Sequence, residues 1–245
     1  MAVRSPDARF GVRAVLSAAA LALVAVPFGL LLALVEDKWR PLLRLDDGAR
    51  DDLHAFALRH EGFVTAMKAL EVIGSAAVYF PLFGLLAGWL VWRRLPRLAC
   101  FVVATVAGSW LLNQLVKRLV DRARPVLADP VAHASGMSFP SGHAQSAIVA
   151  YSVLLLVFLP WLHGAGRALA AGVAATMVLL IGFSRVALGV HFVSDVLAGY
   201  ALGAAWVAAM TAAFGAWRTE RGARPVRPAE QGLEPERLSA RGKRA

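Results

Sequence analysis

A short apolar stretch in the last third of the chain, SRVALGVHFVSD, contains a basic residue, a histidine and an acid. If this segment is helical, Asp195 lies one turn from His191 on the same face and can reach one ring nitrogen. Such a pairing fixes the tautomer and leaves the other nitrogen free to act as a nucleophile. Arg185 could hold an anion beside it, since a guanidinium group matches phosphate oxygens in shape and charge. Taken alone, the stretch is equally compatible with a buried histidine–aspartate pair of purely structural role.

Two cations precede this stretch at helical spacing. Lys117 and Arg124 are seven residues apart, so two helical turns would place them on one face, and Pro125 predicts the end of that helix. Asp121 and Arg122 lie within the same spacing, where they either support the site or form a salt bridge between loop and helix. The segment therefore offers further groups that can neutralise an anion.

The tetrapeptide Pro-Ser-Gly-His at residues 140–143 is typical of a helix start. Ser141 is a good N-cap, and Gly142 allows a ligand to approach the backbone closely. The free N–H groups at such a start, together with the helix dipole, form an anion site that has His143 at its rim. In isolation, this short motif more often means a plain cap followed by a surface histidine.

The composition indicates a membrane protein. Apolar residues make up 58% of the 245 residues, and the mean hydropathy is +0.60. Two glycine pairs, Gly84 with Gly88 and Gly199 with Gly203, predict close contacts between helices in lipid. Six uncharged runs approach the roughly 20 residues that a helix needs to cross a bilayer. We therefore expect an all-α membrane protein with six transmembrane helices, at residues 14–35, 72–92, 98–116, 144–162, 168–184 and 196–217.

The distribution of basic residues sets the expected orientation. The N-terminal arm, residues 1–13, and the short link 93–97 are rich in arginine, which favours the cytoplasmic side for both termini. The opposite ends of helices three to six then share the outer face of the cell (inner) membrane. Each of these four ends carries an acid–base or phosphate-compatible group, which simple interfacial anchoring does not explain. The groups are Lys117, His143, Arg185 and His191.

The chain divides into a membrane domain, residues 14–217, and two flanking segments. Within the domain, residues 36–71 are expected to form an outer loop in which a turn at LDDGARDD precedes an amphipathic helix. Its apolar stripe fits a helix at the membrane surface, but we favour packing against neighbouring elements, which is the more common meaning of such a stripe. Residues 117–143 are expected to form an active-site loop. The tail, residues 218–245, is basic and lacks aromatic residues, which predicts a disordered cytoplasmic segment. Although the net charge is +10, no folded basic module accompanies it, so nucleic-acid binding is discounted.

Three spaced motifs together resemble the signature of the type-2 phosphatidic acid phosphatase superfamily. In one-letter form they are K-x6-R-P, P-S-G-H and S-R-x5-H-x3-D, and the similarity extends over about residues 70–215. The resemblance implies an integral-membrane enzyme that removes phosphate from a lipid without a metal ion or other cofactor. It implies a phosphohistidine at His191, which Asp195 orients, while His143 protonates the leaving oxygen. The implied phosphate-binding residues are Lys117, Arg124, Ser141, Gly142 and Arg185.

The expected substrate is a lipid phosphate exposed at the outer surface. A polyprenyl (undecaprenyl) pyrophosphate is the first choice, by analogy with the family and from the inferred topology, and phosphatidic acid or phosphatidylglycerol phosphate is the alternative. The same chemistry permits transfer of the phosphoryl group to an acceptor other than water. An anion or lipid transporter would use the same cations along a pathway, but transport sites tend to lie at mid-membrane rather than at helix ends. The expected partners are the bilayer and its lipid phosphate, and the sequence does not indicate an oligomeric state.

Overall fold

The structure is a computed structural model that describes residues 26–221 and 223–234. Within these two ranges all regular elements are helices. Their bounds are Val26–Glu36 (α1), Arg40–Ala57 (α2), Glu61–Ile73 (α3), Ala76–Trp92 (α4), Pro96–Val120 (α5), Gly142–Phe158 (α6), Ala165–Ala187 (α7), Val193–Glu220 (α8) and Pro228–Gln231 (α9), and a short 3-10 helix, Leu159–Trp161, follows α6.

Five helical segments are long and apolar enough to cross a membrane, which confirms the predicted class of all-α membrane protein. They are α3 together with α4 (Glu61–Trp92), α5, α6 with its 3-10 extension (Gly142–Trp161), α7, and most of α8 (Val193–Thr219). The first predicted span, 14–35, is described only in part: residues 26–35 are helical in α1, whereas residues 14–25, like the arm 1–13, lie outside the described residues. The count of six spans therefore stays a prediction.

Helix α6 lies at the centre of the fold and packs against α5, α7 and α8. Its contact with α8 is close because two glycines of α8 face it. A Cβ at Gly199 would lie 2.6 Å from the carbonyl oxygen of Ser141, and a Cβ at Gly203 would also collide with α6. The close contact predicted for this glycine pair is confirmed. A Cβ at Gly84 or Gly88 would meet no atom within 4 Å in the described part of the chain, so this pair faces away from the neighbouring helices.

The segment 36–71, predicted as an outer loop, differs from the prediction in its structure. It forms two helices, α2 and α3, and the sequence LDDGARDD, predicted as a turn, lies inside α2. The reason is a tertiary contact: Asp46 is 1% exposed and accepts hydrogen bonds from the backbone N–H and the hydroxyl of Ser194. These bonds offset the low helix propensity of aspartate and glycine in this stretch. The segment is thereby fixed against the first turn of α8.

Helix α5 also ends earlier than predicted. It stops before Asp121, which follows in the left-handed region with a φ of 50°. The backbone N–H of Ser138 then donates to the carbonyl of Arg122 at 2.8 Å, which closes the intervening chain into a loop. Lys117 therefore lies on the helix whereas Arg124 lies in irregular chain. The prediction that helical spacing stacks these two cations on one face is wrong.

The tail departs from the predicted disorder over its first part. Helix α8 runs three residues into it, and α9 follows. Leu233 is 1% exposed, and Gly232, with a φ of 74°, brings the chain against Pro160. Arg218 donates a hydrogen bond to the carbonyl of Leu233. One buried leucine thus anchors a segment whose overall composition is polar, and residues 235–245 lie outside the described residues.

Candidate active site

Polar side chains from four helix ends meet in one group whose members are buried or half-buried. Lys117 lies in the last turn of α5, His143 in the first turn of α6, Arg185 in the last turn of α7 and Asp195 in the first turn of α8. His191 lies in the connection just before α8, so the helical segment expected from His191 to Asp195 begins two residues later, at Val193. Arg185 and His191 are each 2% exposed, and Asp195 is 0% exposed. The structure thus brings together the four groups that the sequence placed at one face, with Asp195 beside His191.

His191 and Asp195 form the predicted pair. Nδ1 of His191 lies 3.4 Å from Oδ2 of Asp195. The same oxygen accepts hydrogen bonds from Oγ of Ser138 at 2.5 Å and from the backbone N–H of Phe192 at 2.9 Å. On the opposite side of the ring, Nε2 lies 3.1 Å from Nη1 of Arg124. Because a guanidinium group only donates, Nε2 is the accepting nitrogen and Nδ1 carries the proton that faces Asp195.

Burial sets the protonation state of His191. Loss of solvent lowers its pKa from 6.5 to about 4, although the hydrogen bond and the charge of Asp195 oppose this shift. At neutral pH the ring is therefore uncharged, and Nε2 keeps the lone pair that a nucleophile requires. That lone pair points toward Arg124, on the side where a bound anion would be held.

The loop between α5 and α6 fixes two of the three predicted cations. Arg124 donates to three backbone carbonyls at 2.7 to 3.1 Å, two of them in residues 135–136 and the third at Val190. Lys117 donates from Nζ to the carbonyl of Met137 at 2.5 Å. Carbonyl contacts orient these cations without neutralising them, so their charge remains available to an anion. The described part of the chain contains no group of three or more His, Cys, Asp or Glu side chains arranged to hold a metal ion.

The third cation, Arg185, has a partner that the sequence did not indicate. Nη1 of Arg185 lies 2.8 Å from Oε1 of Glu71, near the end of α3, and Nε is buried without a hydrogen-bond partner among the described residues. The backbone of Glu71 also lies against the ring of His143, whose Nε2 is buried and unpartnered within residues 26–221 and 223–234. A Cβ at Gly74 would lie 3.2 Å from Cδ2 of His143. The last turn of α3 therefore forms one wall of the site.

His143 and His191 belong to the same pocket. The charges of Arg185 and Arg124 both act on the His143 ring, and Arg124 also contacts Nε2 of His191. Groups on opposite membrane surfaces would be too far apart for such an interaction. Two histidines beside a group of guanidinium charges are suited to nucleophilic attack on one side of a phosphoryl group and proton transfer on the other.

Ser141 and Gly142 occupy the predicted helix start. Oγ of Ser141 accepts a hydrogen bond from the N–H of Ala144 at 3.5 Å, which confirms the N-cap, and the N–H of Ser141 donates to the carbonyl of Asp195 at 2.9 Å. A Cβ at Gly142 would lie 3.3 Å from Oδ1 of Asn113. These contacts join the start of α6 to α8 and α5. Direct contact of Ser141 and Gly142 with a phosphate stays a prediction.

Comparison with known proteins places this geometry in a family. The family model described as the PAP2 superfamily matches residues 97–219, a range that includes all three motifs. The chain belongs to the PAP2 superfamily. The motifs singled out from the sequence are therefore those of a family member, and the resemblance stated from them is confirmed.

The relatives of this PAP2 protein are phosphatases of lipids. Phosphatidylglycerophosphatase B of Bacillus subtilis is 32% identical over 152 residues, which cover 61% of this chain and 74% of that protein. Decaprenylphosphoryl-5-phosphoribose phosphatase of Mycobacterium tuberculosis is 37% identical over 128 residues, which cover 48% of this chain and 66% of that protein. The crystal structure of a transmembrane PAP2 type phosphatidylglycerolphosphate phosphatase from Bacillus subtilis matches with a TM-score of 0.71 and 25% identity, over 85% of this chain and 99% of that chain. The protein is a multi-pass membrane lipid phosphatase.

Three side chains that complete the PAP2 site were not found from the sequence. Ser138, which bonds Asp195, lies just before the PSGH motif, and that proximity was the one available signal. Glu71 and Asp46 lie in α3 and α2, outside the region that matches the family, and nothing but their charge marks them in the sequence. Arg122, for which the sequence left two roles open, forms salt bridges to both Asp46 and Asp195.

A cleft of about 210 Å³ opens beside Arg124. Residues of the loop 125–134 line it together with Gly189 and Val190. Gly189, with a φ of 69°, allows Leu127 to pack over the chain, since a Cβ there would lie 2.4 Å from Cδ1 of Leu127. The cleft is lined by Arg124, the arginine that contacts Nε2 of His191, whereas His191 itself does not line it.

Proposed function

We propose that this protein hydrolyses the terminal phosphate of a membrane lipid through a phosphohistidine at His191. The orientation of the His191 ring carries the proposal, with Nδ1 toward Asp195 and Nε2 3.1 Å from Nη1 of Arg124. An accepting nitrogen beside a fixed cation is the arrangement that in-line attack on a bound phosphoryl group requires.

The reaction has two steps. In the first, Nε2 of His191 attacks phosphorus, an N–P bond forms and the P–O bond to the lipid breaks. Lys117, Arg124 and Arg185 neutralise the charge on the equatorial oxygens, and His143 donates a proton to the leaving lipid oxygen. In the second step, His143 takes a proton from water, the water oxygen bonds to phosphorus, and the N–P bond breaks to release inorganic phosphate.

The lipid we place first is phosphatidylglycerophosphate. Both the relative that shares the longer alignment and the matched crystal structure carry this lipid in their names. The polyprenyl pyrophosphate favoured by the sequence becomes the second candidate. Its polyprenyl part is supported by the similarity to a phosphatase whose name specifies a decaprenyl lipid.

The orientation we propose puts both termini in the cytoplasm and the site at the outer surface of the membrane. The arginine-rich link 93–97 supports it, because this link joins α4 to α5 at the end of α5 opposite to Lys117. The positions of the cations also favour an enzyme over a transporter. Lys117 and Arg185 lie in terminal helical turns rather than at breaks in the middle of a span.

The decisive test is the release of inorganic phosphate by purified protein in detergent micelles. His191→Ala should lose about three orders of magnitude or more of the activity, because the nucleophile is removed. The matched control is His163→Ala. His163 is exposed in the connection between α6 and α7, at the ends of these helices that lie away from His143 and Arg185. Retained release by His191→Ala would refute the phosphohistidine, and no release by the wild-type protein from any lipid phosphate would favour transport.

A panel of lipids then identifies the substrate. We expect kcat/KM to be highest for phosphatidylglycerophosphate, compared with undecaprenyl pyrophosphate and phosphatidic acid in the same micelles. A reaction in ¹⁸O-labelled water distinguishes hydrolysis from transfer to another acceptor. Label in the released phosphate shows that water is the acceptor, and a higher kcat/KM for the polyprenyl lipid would reverse our ranking.

A further inference from the structure

We propose that Asp46, on the outer helix α2, is a positioning residue that acts through Arg122 to hold Asp195 in the orientation that serves His191. The inference rests on the proposed function, in which Asp195 is the partner of the nucleophile. It concerns a residue of α2, outside the range 97–219 that matches the family.

Asp46 is a buried carboxylate whose two oxygens are both engaged. Oδ1 accepts a hydrogen bond from the backbone N–H of Ser194 at 2.9 Å. Oδ2 accepts bonds from Oγ of Ser194 at 2.5 Å and from Nη2 of Arg122 at 2.9 Å. A charge that is 1% exposed is tolerated only when it is paired and fully hydrogen-bonded. These bonds therefore fix α2 against the first turn of α8 and give Arg122 a firm anchor.

Arg122 connects this anchor to the catalytic pair. Its Nη1 donates to Oδ1 of Asp195 at 2.6 Å and to Oγ of Ser194 at 2.7 Å, while Nη2 is held by Asp46. The guanidinium carbon lies 4.3 Å from the centre of the Phe192 ring. A planar group with partners along its edge and on one face cannot turn without losing several contacts at once.

The two carboxylate oxygens of Asp195 consequently have different partners. Oδ1 is held by Arg122, whereas Oδ2 accepts from Ser138 and faces Nδ1 of His191. Without the carboxylate of Asp46, Arg122 would keep Asp195 as its acidic partner and could bind both of its oxygens in the bidentate geometry that a guanidinium prefers. Oδ2 would then be drawn away from Nδ1 of His191. Removal of Asp46 is expected to weaken the nucleophile and to leave the phosphate-binding cations in place.

Asp46→Asn tests this link in the full-length protein in detergent micelles. We expect kcat for phosphate release to fall by about 10- to 100-fold while KM changes by no more than about twofold, because the phosphate-binding cations are untouched. Asp47→Asn is the matched control: Asp47 is the next residue of α2, is 54% exposed and pairs with Arg50 at the surface. An Asp46→Asn variant with the kcat of the wild type would overturn the inference.

A double variant separates positioning from a general loss of structure. If Asp46 acts through Asp195, adding Asp46→Asn to Asp195→Asn should lower kcat no further, since the group that it positions is already gone. An additive fall would mean that Asp46 acts only on the fold, and would overturn the inference. Should Asp46→Asn fail to fold, Arg122→Lys tests the same link from its other end, because one ammonium cannot bridge both carboxylates. An Arg122→Lys variant with the kcat of the wild type would also overturn the inference.

Failure of the role inferred for Asp46 can be distinguished from failure of the proposed phosphatase mechanism. Full activity of His191→Ala or Asp195→Asn would refute the mechanism itself. Loss of activity in those two variants combined with wild-type kcat in Asp46→Asn would leave the mechanism intact and remove only the role of α2.

Discussion

Nη1 of Arg124 lies 3.1 Å from Nε2 of His191, on the side of the ring that faces away from Asp195. Three carbonyl contacts hold the arginine, and the hydrogen bonds around Asp195 hold the ring. Contacts within the protein therefore orient both the cation and the imidazole that we propose as the nucleophile. Such preorganisation reduces the rearrangement that must accompany the reaction.

Arg124→Lys keeps the charge but replaces a group that contacts Nε2 and three carbonyls at once by a single ammonium. We expect kcat/KM for phosphate release to fall by about 100-fold. Arg118→Lys is the control, because Arg118 is exposed in the last turn of α5, and this variant should stay within about twofold of the wild type. Equal activity of the two variants would contradict a specific role for the guanidinium group of Arg124.

The pH dependence of kcat/KM reports the burial of His191. In the proposed mechanism the ring attacks in its neutral form. Because burial lowers its pKa to about 4, activity should persist as the pH falls below neutrality and should be lost only as the pH falls through that value. Initial rates of phosphate release give the profile, and tryptophan fluorescence verifies that the protein stays folded at each pH. An acidic limb centred near 6.5, the ordinary value for histidine, would contradict the buried and neutral state.

Glu71→Gln removes the charge that pairs with the buried Arg185. Because the Glu71 side chain is 27% exposed, water screens part of the interaction, and we expect a loss of about 2 kcal/mol in the free energy of unfolding. Thermal unfolding followed by tryptophan fluorescence measures it, with Glu61→Gln, exposed in the first turn of α3, as the control. Saturating inorganic phosphate should reduce the loss, since the anion can pair with Arg185. A loss that phosphate does not change would argue against binding at this arginine.

Two glycine variants compare the predicted helix contacts. Gly199→Ala places a methyl group 2.6 Å from the carbonyl oxygen of Ser141 and must push α6 away from α8. We expect this clash to lower the free energy of unfolding by about 1 to 3 kcal/mol. We also expect a lower kcat, because the shift of α6 displaces His143. Gly84→Ala meets no described atom within 4 Å and should leave both stability and kcat unchanged. Thermal unfolding and phosphate release measure the pair. Similar behaviour of the two variants would show that α6 and α8 can separate without effect on the site.

Removal of metal ions should not affect the reaction. Three cationic side chains, Lys117, Arg124 and Arg185, supply the charge that a metal ion would otherwise contribute to phosphoryl transfer. Phosphate release after dialysis against a chelator should remain within about twofold of the untreated protein. A larger loss that added divalent ions restore would overturn this part of the proposed mechanism.

The sequence was informative wherever the relevant spacing is local. His191 and Asp195 are four residues apart and do meet, although not within one helix as expected: His191 precedes α8, and the Asp195 side chain turns back from the first turn of that helix to the N–H of Phe192 and to the ring. The Ser141 cap depends on the next few residues alone. Helical spacing failed for Lys117 and Arg124 because a left-handed residue, Asp121, ends the helix between them. The spacing of residues along the sequence does not reveal that one backbone torsion angle will end a helix.

By itself, the sequence determined that the chain is a helical membrane protein whose helix ends bring Lys117, His143, Arg185 and His191 to one side, because apolar runs fix where the chain can cross lipid. Only the tertiary structure decided which acids support them. Asp46 meets Ser194 across 148 residues, and Glu71 reaches Arg185 from a separate helix. A carboxylate in a polar segment is indistinguishable from a solvated charge until the fold supplies its donor and excludes water from the pair.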